Sequence, residues 1–242
     1  MSRLHKPKAG FWIRLCAIVI LPFDAAVFRL RWRHLDRMPP PESGGVIIAV
    51  NHTSYIDTLL VARLVWQSGR IPRFMIKAGV FKWPIVGWAA RGGRQIPVHR
   101  GTSDAGNSIE EAATALARGE AVVIYPEGTT TKDPQNWPML AKTGIARLVL
   151  RSPDTPVVPV GQWGAHRIGF SIKRLGRRRT SYASVGMPLD LSRYRGEEPT
   201  AETLRAITDE VMRAVRDEVA ALRGEDPPTE FFVPNRKYVD AR

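Results

Sequence analysis

Short apolar runs, each followed by turn-forming residues and then by a helical pattern, recur along the chain. The clearest runs are Val46–Val50, Ala121–Tyr125 and Val157–Val160. Continuous runs of this kind, bounded by turn signals, are typical of strands buried on both faces, as in parallel sheets. Helical patterns occupy the stretches between and beside them: Thr58–Trp66, Asp104–Arg118 and Thr143–Arg151. The alternation predicts an α/β fold, a single domain with a mainly parallel central sheet flanked by helices.

The two ends of the chain carry further helical patterns. Apolar residues recur at helical spacing from Leu204 to Leu222, with Thr200 placed as an N-cap and Gly224 as a stop. The breaker Met38-Pro39-Pro40-Pro41 separates an N-terminal apolar or amphipathic helix from the rest. We therefore expect an N-terminal membrane-associating helical segment (1–38), an α/β domain (39–226) and an extended C-terminal tail (227–242).

The N-terminal segment is apolar from Phe11 to Phe28. Three residues interrupt it short of the roughly 20 apolar residues that a membrane-spanning helix needs: Arg14, Pro22 and Asp24. Three arginines follow it: Arg29, Arg31 and Arg33. This composition suits a helix lying in the interface of an anionic membrane. Packing against the domain core is the alternative, and the two can hold for different faces of one helix.

The charge balance limits the partners. With 36 Lys and Arg against 23 Asp and Glu, the formal net charge is +13, which attracts nucleic acid, acidic lipid headgroups or phosphorylated substrates. The sequence contains no zinc-ligand spacing, RNA-recognition signature or helix-turn-helix pattern, so we expect no nucleic-acid partner and no metal. The single cysteine, Cys16, excludes an internal disulfide.

One stretch carries most of the chemical information. In Asn51-His-Thr-Ser-Tyr-Ile-Asp57, a histidine follows a predicted buried strand and an aspartate lies five positions later. Across a turn into a helix, the Asp57 carboxylate can fold back to the His52 imidazole and fix its tautomer. The free ring nitrogen could then take a proton from a hydroxyl. The alternative is that His52 caps the helix and Asp57 is a first-turn acid favoured by the helix dipole.

Three further blocks follow in order: Ile96–Arg100, Tyr125-Pro-Glu-Gly-Thr129 and Val157–Val160. With the first stretch, they resemble the four motifs of the glycerolipid acyltransferase family, typified by 1-acylglycerol-3-phosphate acyltransferases. The resemblance covers about residues 46 to 165. It implies acyl transfer from a thioester to a lipid hydroxyl, with His52 as base and Asp57 orienting it. No Gly-x-Ser-x-Gly nucleophile elbow is present, which agrees with transfer in one step.

The resemblance also implies the substrates. The acyl donor is acyl-CoA or acyl carrier protein, no cofactor is needed, and the acceptor is a lysophospholipid, foremost 1-acylglycerol-3-phosphate, which would yield phosphatidic acid. Five residues are expected to bind substrate: Lys77, Arg100, Glu127, Gly128 and Thr129. Of these, Arg100 matches the phosphate-binding arginine of the family, and Glu127 is expected to bond an acceptor hydroxyl or orient a cation. The expected location is the cytoplasmic face of the cell membrane, as a peripheral or monotopic protein.

The chain departs from the family at one place. An Arg or Ser commonly follows Glu-Gly-Thr, whereas this chain has Thr130 and Thr131, with Lys132 as the next cation. Lys132 could cover the acceptor phosphate, or the acceptor could carry a different headgroup. A lipid-binding protein of the same fold without turnover is the other alternative.

The sequence predicts less specific roles for two other segments. Large apolar residues fill Phe81–Trp88, for which we expect core packing, with an acyl-chain groove or bilayer contact as alternatives. The basic run between Lys173 and Arg179 could face anionic lipid or the phosphates of CoA, or form plain solvated surface.

Overall fold

A computed structural model describes residues 10–99, 105–167 and 179–234 of the 242-residue chain. The helices are α1 (Phe11–Val27), α2 (Asp57–Gln67), α3 (Val86–Gly92), α4 (Ala105–Ala117), α5 (Gly144–Arg151) and α6 (Ala201–Arg223). The strands are β1 (Phe28–Arg33), β2 (Val46–Val50), β3 (Pro72–Lys77), β4 (Ile96–Val98), β5 (Ala121–Ile124), β6 (Val157–Trp163) and β7 (Arg179–Val185).

These strands form one sheet in the order β1-β7-β6-β2-β5-β3-β4. From β6 to β4 all neighbours are parallel, while β7 runs antiparallel to β6 and parallel to β1. The prediction of an α/β domain with a mainly parallel sheet is confirmed. Strands β2, β5 and β3 therefore end at the same edge of the sheet, where sites form in such folds.

The helices cover the sheet in two layers, and the central strand explains why. Every residue of β2 is buried. Ile47 and Ala49 pack with α4, α5 and α6 on one face. Val46, Ile48 and Val50 pack with α2 on the other face. Alternate side chains of a strand point to opposite faces, so a strand covered on both faces must be apolar throughout.

The predicted helices lie where the periodicity placed them. In α6, the Thr200 side chain accepts a hydrogen bond from the Thr203 backbone N–H at 3.1 Å, and Gly224 ends the helix with φ of 67°. A side-chain oxygen that caps the first turn and a glycine in the left-handed region are the usual helix boundaries. The start and stop predicted for α6 are confirmed.

The N-terminal segment departs from the expected organisation. Its helix ends at Val27, and Phe28–Arg33 forms edge strand β1 of the same sheet. Phe28, Leu30 and Trp32 alternate with exposed arginines, which is the period of a strand rather than of a helix. The prediction of a helical segment over 1–38, separate from the α/β domain, is therefore wrong for Phe28–Arg33. The arginines predicted to flank the helix, Arg29, Arg31 and Arg33, line one face of an edge strand.

Helix α1 has two different sides. Its inner side packs against α2 and α3, while Phe11, Ile18 and Val19 on its outer side are exposed. Among the described helices, none combines the length and apolar character required to cross a bilayer. The C-terminal residues that follow α6 turn back along the molecule, since Arg216 donates to the Pro228 carbonyl and Leu140 N–H donates to the Phe232 carbonyl.

Candidate active site

The chain leaves β2 in a fixed direction because Asn51 is locked to β6. The Asn51 side chain donates to the Gln162 carbonyl at 3.1 Å and accepts from the Gln162 N–H at 2.8 Å. The Gln162 side-chain amide donates to the Asn51 carbonyl at 2.7 Å. Both residues are buried, so these bonds are shielded from competing water. The arrangement sets the position of His52, the next residue.

His52 and Asp57 form the pair that their spacing predicts. Imidazole Nδ1 lies 2.9 Å from Asp57 Oδ1 and 3.1 Å from Oδ2. Oδ2 also accepts the backbone N–H groups of Thr53 at 2.8 Å and Ser54 at 2.9 Å. Since an ionised carboxylate only accepts hydrogen bonds, the imidazole carries its proton on Nδ1 and Nε2 is left as a base.

The placement of Asp57 has a local cause. It is the first residue of α2, and its N–H donates to the Ser54 carbonyl at 3.1 Å, which closes the turn from β2. The turn folds the carboxylate back over the chain that precedes the helix, where backbone N–H groups meet it. A negative charge is favourable at a helix N-terminus. Asp57 is thus both the first-turn acid of α2 and the partner of His52, whereas His52 does not cap the helix, since the N-cap of α2, Ile56, has no side-chain cap hydrogen bond.

Aromatic rings support the imidazole from one side. The ring of Tyr125 stacks on that of His52 with centroids 4.3 Å apart, and Phe74 stacks on Tyr125 at 6.4 Å. Burial, together with the negative charge of Asp57, raises the pKa of Tyr125 well above its usual value. The phenol therefore stays neutral and does not compete with His52 for a proton.

Glu127 lies beneath His52. One carboxylate oxygen accepts the His52 backbone N–H at 2.7 Å, and the other accepts the Met139 N–H at 3.1 Å. The residue is 2% exposed, and burial raises the pKa of Glu127 to about 8 against the effect of these two bonds. This geometry favours a positioning role, because both oxygens are engaged by backbone. Contact of Glu127 with an acceptor hydroxyl, as expected from sequence, stays a prediction.

The loop after Glu127 is held against the dyad. Gly128 turns with φ of 73°, a conformation in which glycine carries no steric penalty, and Thr129 is half-buried. The Thr131 N–H donates to the His52 carbonyl at 2.6 Å. Further along, the Arg223 guanidinium lies over the ring of Trp137 at 3.9 Å, which ties the loop to the end of α6. The loop therefore forms a fixed wall beside His52.

Of the two predicted cationic ligands, Lys77 lies within the described residues and Arg100 does not. Lys77 ends β3 at the same sheet edge as His52, two strands away, and is exposed. Arg100 lies outside the described residues, so its phosphate contact stays a prediction. Four cations of the basic run also lie outside them: Lys173, Arg174, Arg177 and Arg178. Within residues 10–99, 105–167 and 179–234, no three His, Cys, Asp or Glu side chains converge as metal ligands would.

An apolar cavity of about 210 Å³ lies beside the dyad, between α1, α2, β3 and α3. Thr58, the neighbour of Asp57, lines it, as does Phe74, which stacks on Tyr125. Its other walls come mainly from apolar side chains, among them Ile13, Ile20, Ile76 and Val86. The apolar lining of the cavity suits a hydrocarbon chain.

Several residues that shape the site were not predicted from sequence. Gln162 and Tyr125 act through their fold neighbours, Asn51 and His52, which are far away in sequence. The Tyr125 position was visible as part of a motif, but nothing in the sequence shows that its ring stacks on an imidazole. Gln162 carried one usable signal, a polar residue at the end of an apolar strand.

Comparison with known proteins agrees with this geometry. The Acyltransferase family model matches residues 29–163. A chloroplastic 1-acyl-sn-glycerol-3-phosphate acyltransferase of Arabidopsis thaliana is 26% identical over 171 residues, covering 67% of this chain and 45% of the relative. A lyso-ornithine lipid O-acyltransferase of Pseudomonas aeruginosa is 33% identical over 132 residues, covering 54% and 45%. The chain thus spans less than half the length of these two relatives.

A solved structure has the same fold. The crystal structure of the 1-acyl-sn-glycerophosphate acyltransferase from Thermotoga maritima superimposes with a TM-score of 0.63. The alignment covers 89% of this chain and 81% of that one, at 20% sequence identity.

Proposed function

Because the chain belongs to the acyltransferase family, we propose that it transfers a fatty acyl group from an acyl thioester to a hydroxyl of a glycerol-phosphate-type lysophospholipid. The donor would be acyl-CoA or acyl carrier protein. The observation that carries the proposal is the dyad, in which Asp57 holds the proton of His52 on Nδ1 and leaves Nε2 unprotonated.

The reaction follows from that geometry. His52 Nε2 takes the proton of the acceptor hydroxyl while its oxygen attacks the thioester carbonyl carbon. The carbon–oxygen bond forms, the carbon–sulfur bond breaks, and the proton passes from His52 to the departing thiolate. Asp57 stabilises the imidazolium that exists between these two proton transfers. The reaction requires no covalent acyl-enzyme.

The apolar cavity supports the choice of a fatty acyl donor. It is bounded by Thr58, which follows Asp57 in the chain, and by Phe74, whose ring stacks on Tyr125, the residue that stacks on His52. An acyl chain seated there would bring its thioester toward His52. Burying a chain stabilises binding by about 0.8 kcal/mol per methylene, so chain length should change affinity steeply until the cavity is full.

For the acceptor, we propose 1-acylglycerol-3-phosphate, with phosphatidic acid as product. Lys132 follows Thr131, whose N–H bonds the His52 carbonyl, so its backbone belongs to the wall beside the dyad, which supports its ammonium group as a candidate for the phosphate. Lys77 and Arg100 are the other candidates for the phosphate. Gly128 and Thr129 are the candidates for contact with the glycerol, although the Gly128 N–H itself donates to the Tyr125 carbonyl at 2.9 Å.

A second acceptor is supported by specific observations. Thr130 stands where the family commonly has an Arg or Ser, and one relative, 33% identical, acylates lyso-ornithine lipid. A headgroup without the glycerol phosphate would need fewer cations at this position. We therefore keep lyso-ornithine lipid as the alternative acceptor.

An acceptor panel tests these proposals. Purified protein is given one acyl-CoA with lysophosphatidic acid, lysophosphatidylethanolamine or lyso-ornithine lipid, and the esterified product is measured. We expect turnover to be fastest with lysophosphatidic acid, which is 1-acylglycerol-3-phosphate. Lys132→Gln should raise the KM for lysophosphatidic acid more than the KM for lyso-ornithine lipid. Binding of lysolipid without any product would instead favour a lipid-binding protein without turnover.

We also infer that the protein works as a peripheral protein at an anionic membrane, on the cytoplasmic side. The outer side of α1 supports this, since Phe11, Ile18 and Val19 are exposed and apolar. Replacing these three residues with Ser should weaken binding to anionic vesicles. This test leaves β1 in place, whereas removing the whole N-terminal segment would delete an edge strand of the sheet.

A further inference from the structure

The segment from Trp83 to Trp88 does not pack into the core. Its large side chains are exposed: Trp83 60%, Ile85 81%, Val86 48% and Trp88 49%. The prediction of core packing is therefore wrong. The segment follows a 3-10 turn (Ala78–Lys82) and includes the first turn of α3, outside the sheet, and only Gly87 within Trp83–Trp88 is buried. Exposed apolar groups clustered in this way mark interaction surfaces.

The Trp83–Trp88 segment, called the tip below, contains a strained turn. Ile85 has φ of 62° and ψ of −61°, and the Val86 N–H donates to the Pro84 carbonyl at 2.6 Å. This is a γ-turn of the rare, strained type, centred on a β-branched residue. Such strain persists where surrounding structure fixes it, and it clusters at functional sites.

Close packing of Gly87 against Phe81 holds the strained turn at Ile85 in place. A Cβ placed on Gly87 would lie 2.2 Å from the Phe81 carbonyl oxygen, so the chain approaches itself too closely for any other residue. The Gly87 N–H also donates to the Trp83 carbonyl at 2.9 Å. The fold thus holds Ile85 outward although neither the hydrophobic effect nor the backbone favours that position.

The tip and α1 form one continuous surface. The ring centroids of Trp88 and of Trp12 on α1 lie 4.0 Å apart, and Trp12 also packs against Gly92 at the end of α3. The apolar cavity lies between the same two helices, with Val86 on one side and Ile13 on the other. The exposed apolar surface therefore continues into the cavity.

Cations border this surface. Arg14 on α1, Lys82 before the tip and Arg91 on α3 are all exposed. Tryptophans are favoured at membrane interfaces because their rings are apolar with one polar end. Basic residues beside them attract anionic headgroups. A bilayer accounts for both features, whereas a second copy of this +13 chain would bring like charges together.

We propose that the Trp83–Trp88 tip is a second membrane-contacting element, which enters the headgroup region of an anionic bilayer beside α1. The cavity between α1 and α3 then opens toward the bilayer, so acyl chains enter it from the lipid phase. The assignment of acyl chains as cargo rests on the proposed function, but contact of the tip with lipid does not.

Sedimentation with vesicles tests this contact. Wild type and the double variant Trp83→Ser/Ile85→Ser are mixed with vesicles of phosphatidylglycerol and phosphatidylcholine, without substrates. Because two large side chains leave the lipid, we expect the partition coefficient to fall about tenfold or more. Met187→Ser is the matched control, since Met187 is 63% exposed in the loop after β7, and it should bind like wild type.

A second variant guards against misfolding. Ile85→Gly removes the side chain but adopts positive φ readily, so it should stay folded and still lose vesicle affinity. Unchanged partitioning of both tip variants would overturn the proposal, as would an equal loss in Met187→Ser. So would a shift of the tip variants from dimer to monomer with unchanged vesicle binding. Since no turnover is measured, these outcomes are separate from failure of the acyltransfer assay.

Discussion

Replacing Asp57 with Asn should abolish most activity while leaving the fold intact, because of how the new side chain must orient. Asp57 Oδ2 accepts the N–H groups of Thr53 and Ser54 at 2.8 and 2.9 Å. In the Asn variant, the carbonyl oxygen must take that position, since an amide NH2 there would face two donors. The NH2 group then faces His52 Nδ1 from the Oδ1 position, 2.9 Å away.

This orientation reverses the tautomer of the imidazole. With an NH2 donor opposite Nδ1, that nitrogen must accept, and the proton moves to Nε2, the atom that serves as base. General base catalysis contributes about 10²–10⁴-fold, or about 3–5 kcal/mol of barrier. We expect kcat to fall by that factor. Loss of one charge at the N-terminus of α2 should cost about 2 kcal/mol of stability, since Asp57 is buried.

Two measurements check the reasoning. Steady-state kinetics with acyl-CoA and the best acceptor give kcat, and ¹⁵N chemical shifts of His52 give the tautomer in wild type and variant. The reasoning is refuted if Asp57→Asn keeps activity within a few-fold of wild type. It is also refuted if activity is lost while His52 still carries its proton on Nδ1.

Three further predictions concern Glu127, Ile85 and Arg223. Glu127→Gln should lower the free energy of unfolding by about 1–3 kcal/mol at pH 5, because one buried N–H loses its acceptor. Glu127 has a pKa of about 8 in the folded protein, above the value of 4.5 for an unperturbed carboxyl. Its ionisation therefore lowers the free energy of unfolding of wild type between about pH 4.5 and 8, whereas the glutamine of the variant cannot ionise. Urea unfolding across this range should therefore show that the difference in free energy of unfolding between wild type and Glu127→Gln becomes smaller as the pH rises. A constant difference would contradict the raised pKa. Ile85→Gly should raise thermal stability by about 1 kcal/mol as the strained turn relaxes, which calorimetry would show; a lower melting temperature would count against strain. Arg223→Met should lower stability by about 1–2 kcal/mol and also reduce kcat, since it frees the loop beside His52; unchanged kcat in a destabilised variant would limit its role to stability.

Much of the fold could be predicted from local patterns. The buried strand at Val46–Val50 and the capped helix at Ala201–Arg223 carry strong, continuous signals. Edge strand β1 is not predicted, because its arginines also suit the basic flank of a membrane-bound helix. Its alternation of Phe28, Leu30 and Trp32 with those arginines is a strand pattern, but it directly follows an apolar helix.

The dyad geometry could be predicted because it is local, from residue 52 to residue 57. The role of Glu127 could not, since its partners His52 and Met139 meet it only in the folded sheet. The motif predicts contact of this glutamate with substrate or with a cation, and burial with two backbone donors adds a structural role. For the Trp83–Trp88 tip, the predicted core packing is wrong. Large apolar residues usually lie inside, whereas here the close approach of Gly87 to Phe81 and the turn at Ile85 hold them outside.

Ester formation by wild type and His52→Ala, compared at equal concentrations with acyl-CoA and lysophosphatidic acid, tests the central claim most directly. Thermal unfolding of both proteins shows whether the variant is folded, so that lost activity can be assigned to the missing imidazole. With Nε2 as the base, wild type should form phosphatidic acid and the folded variant should fall at least about 10²-fold. Full activity in His52→Ala, or no product from wild type with any acceptor of the panel, would contradict it.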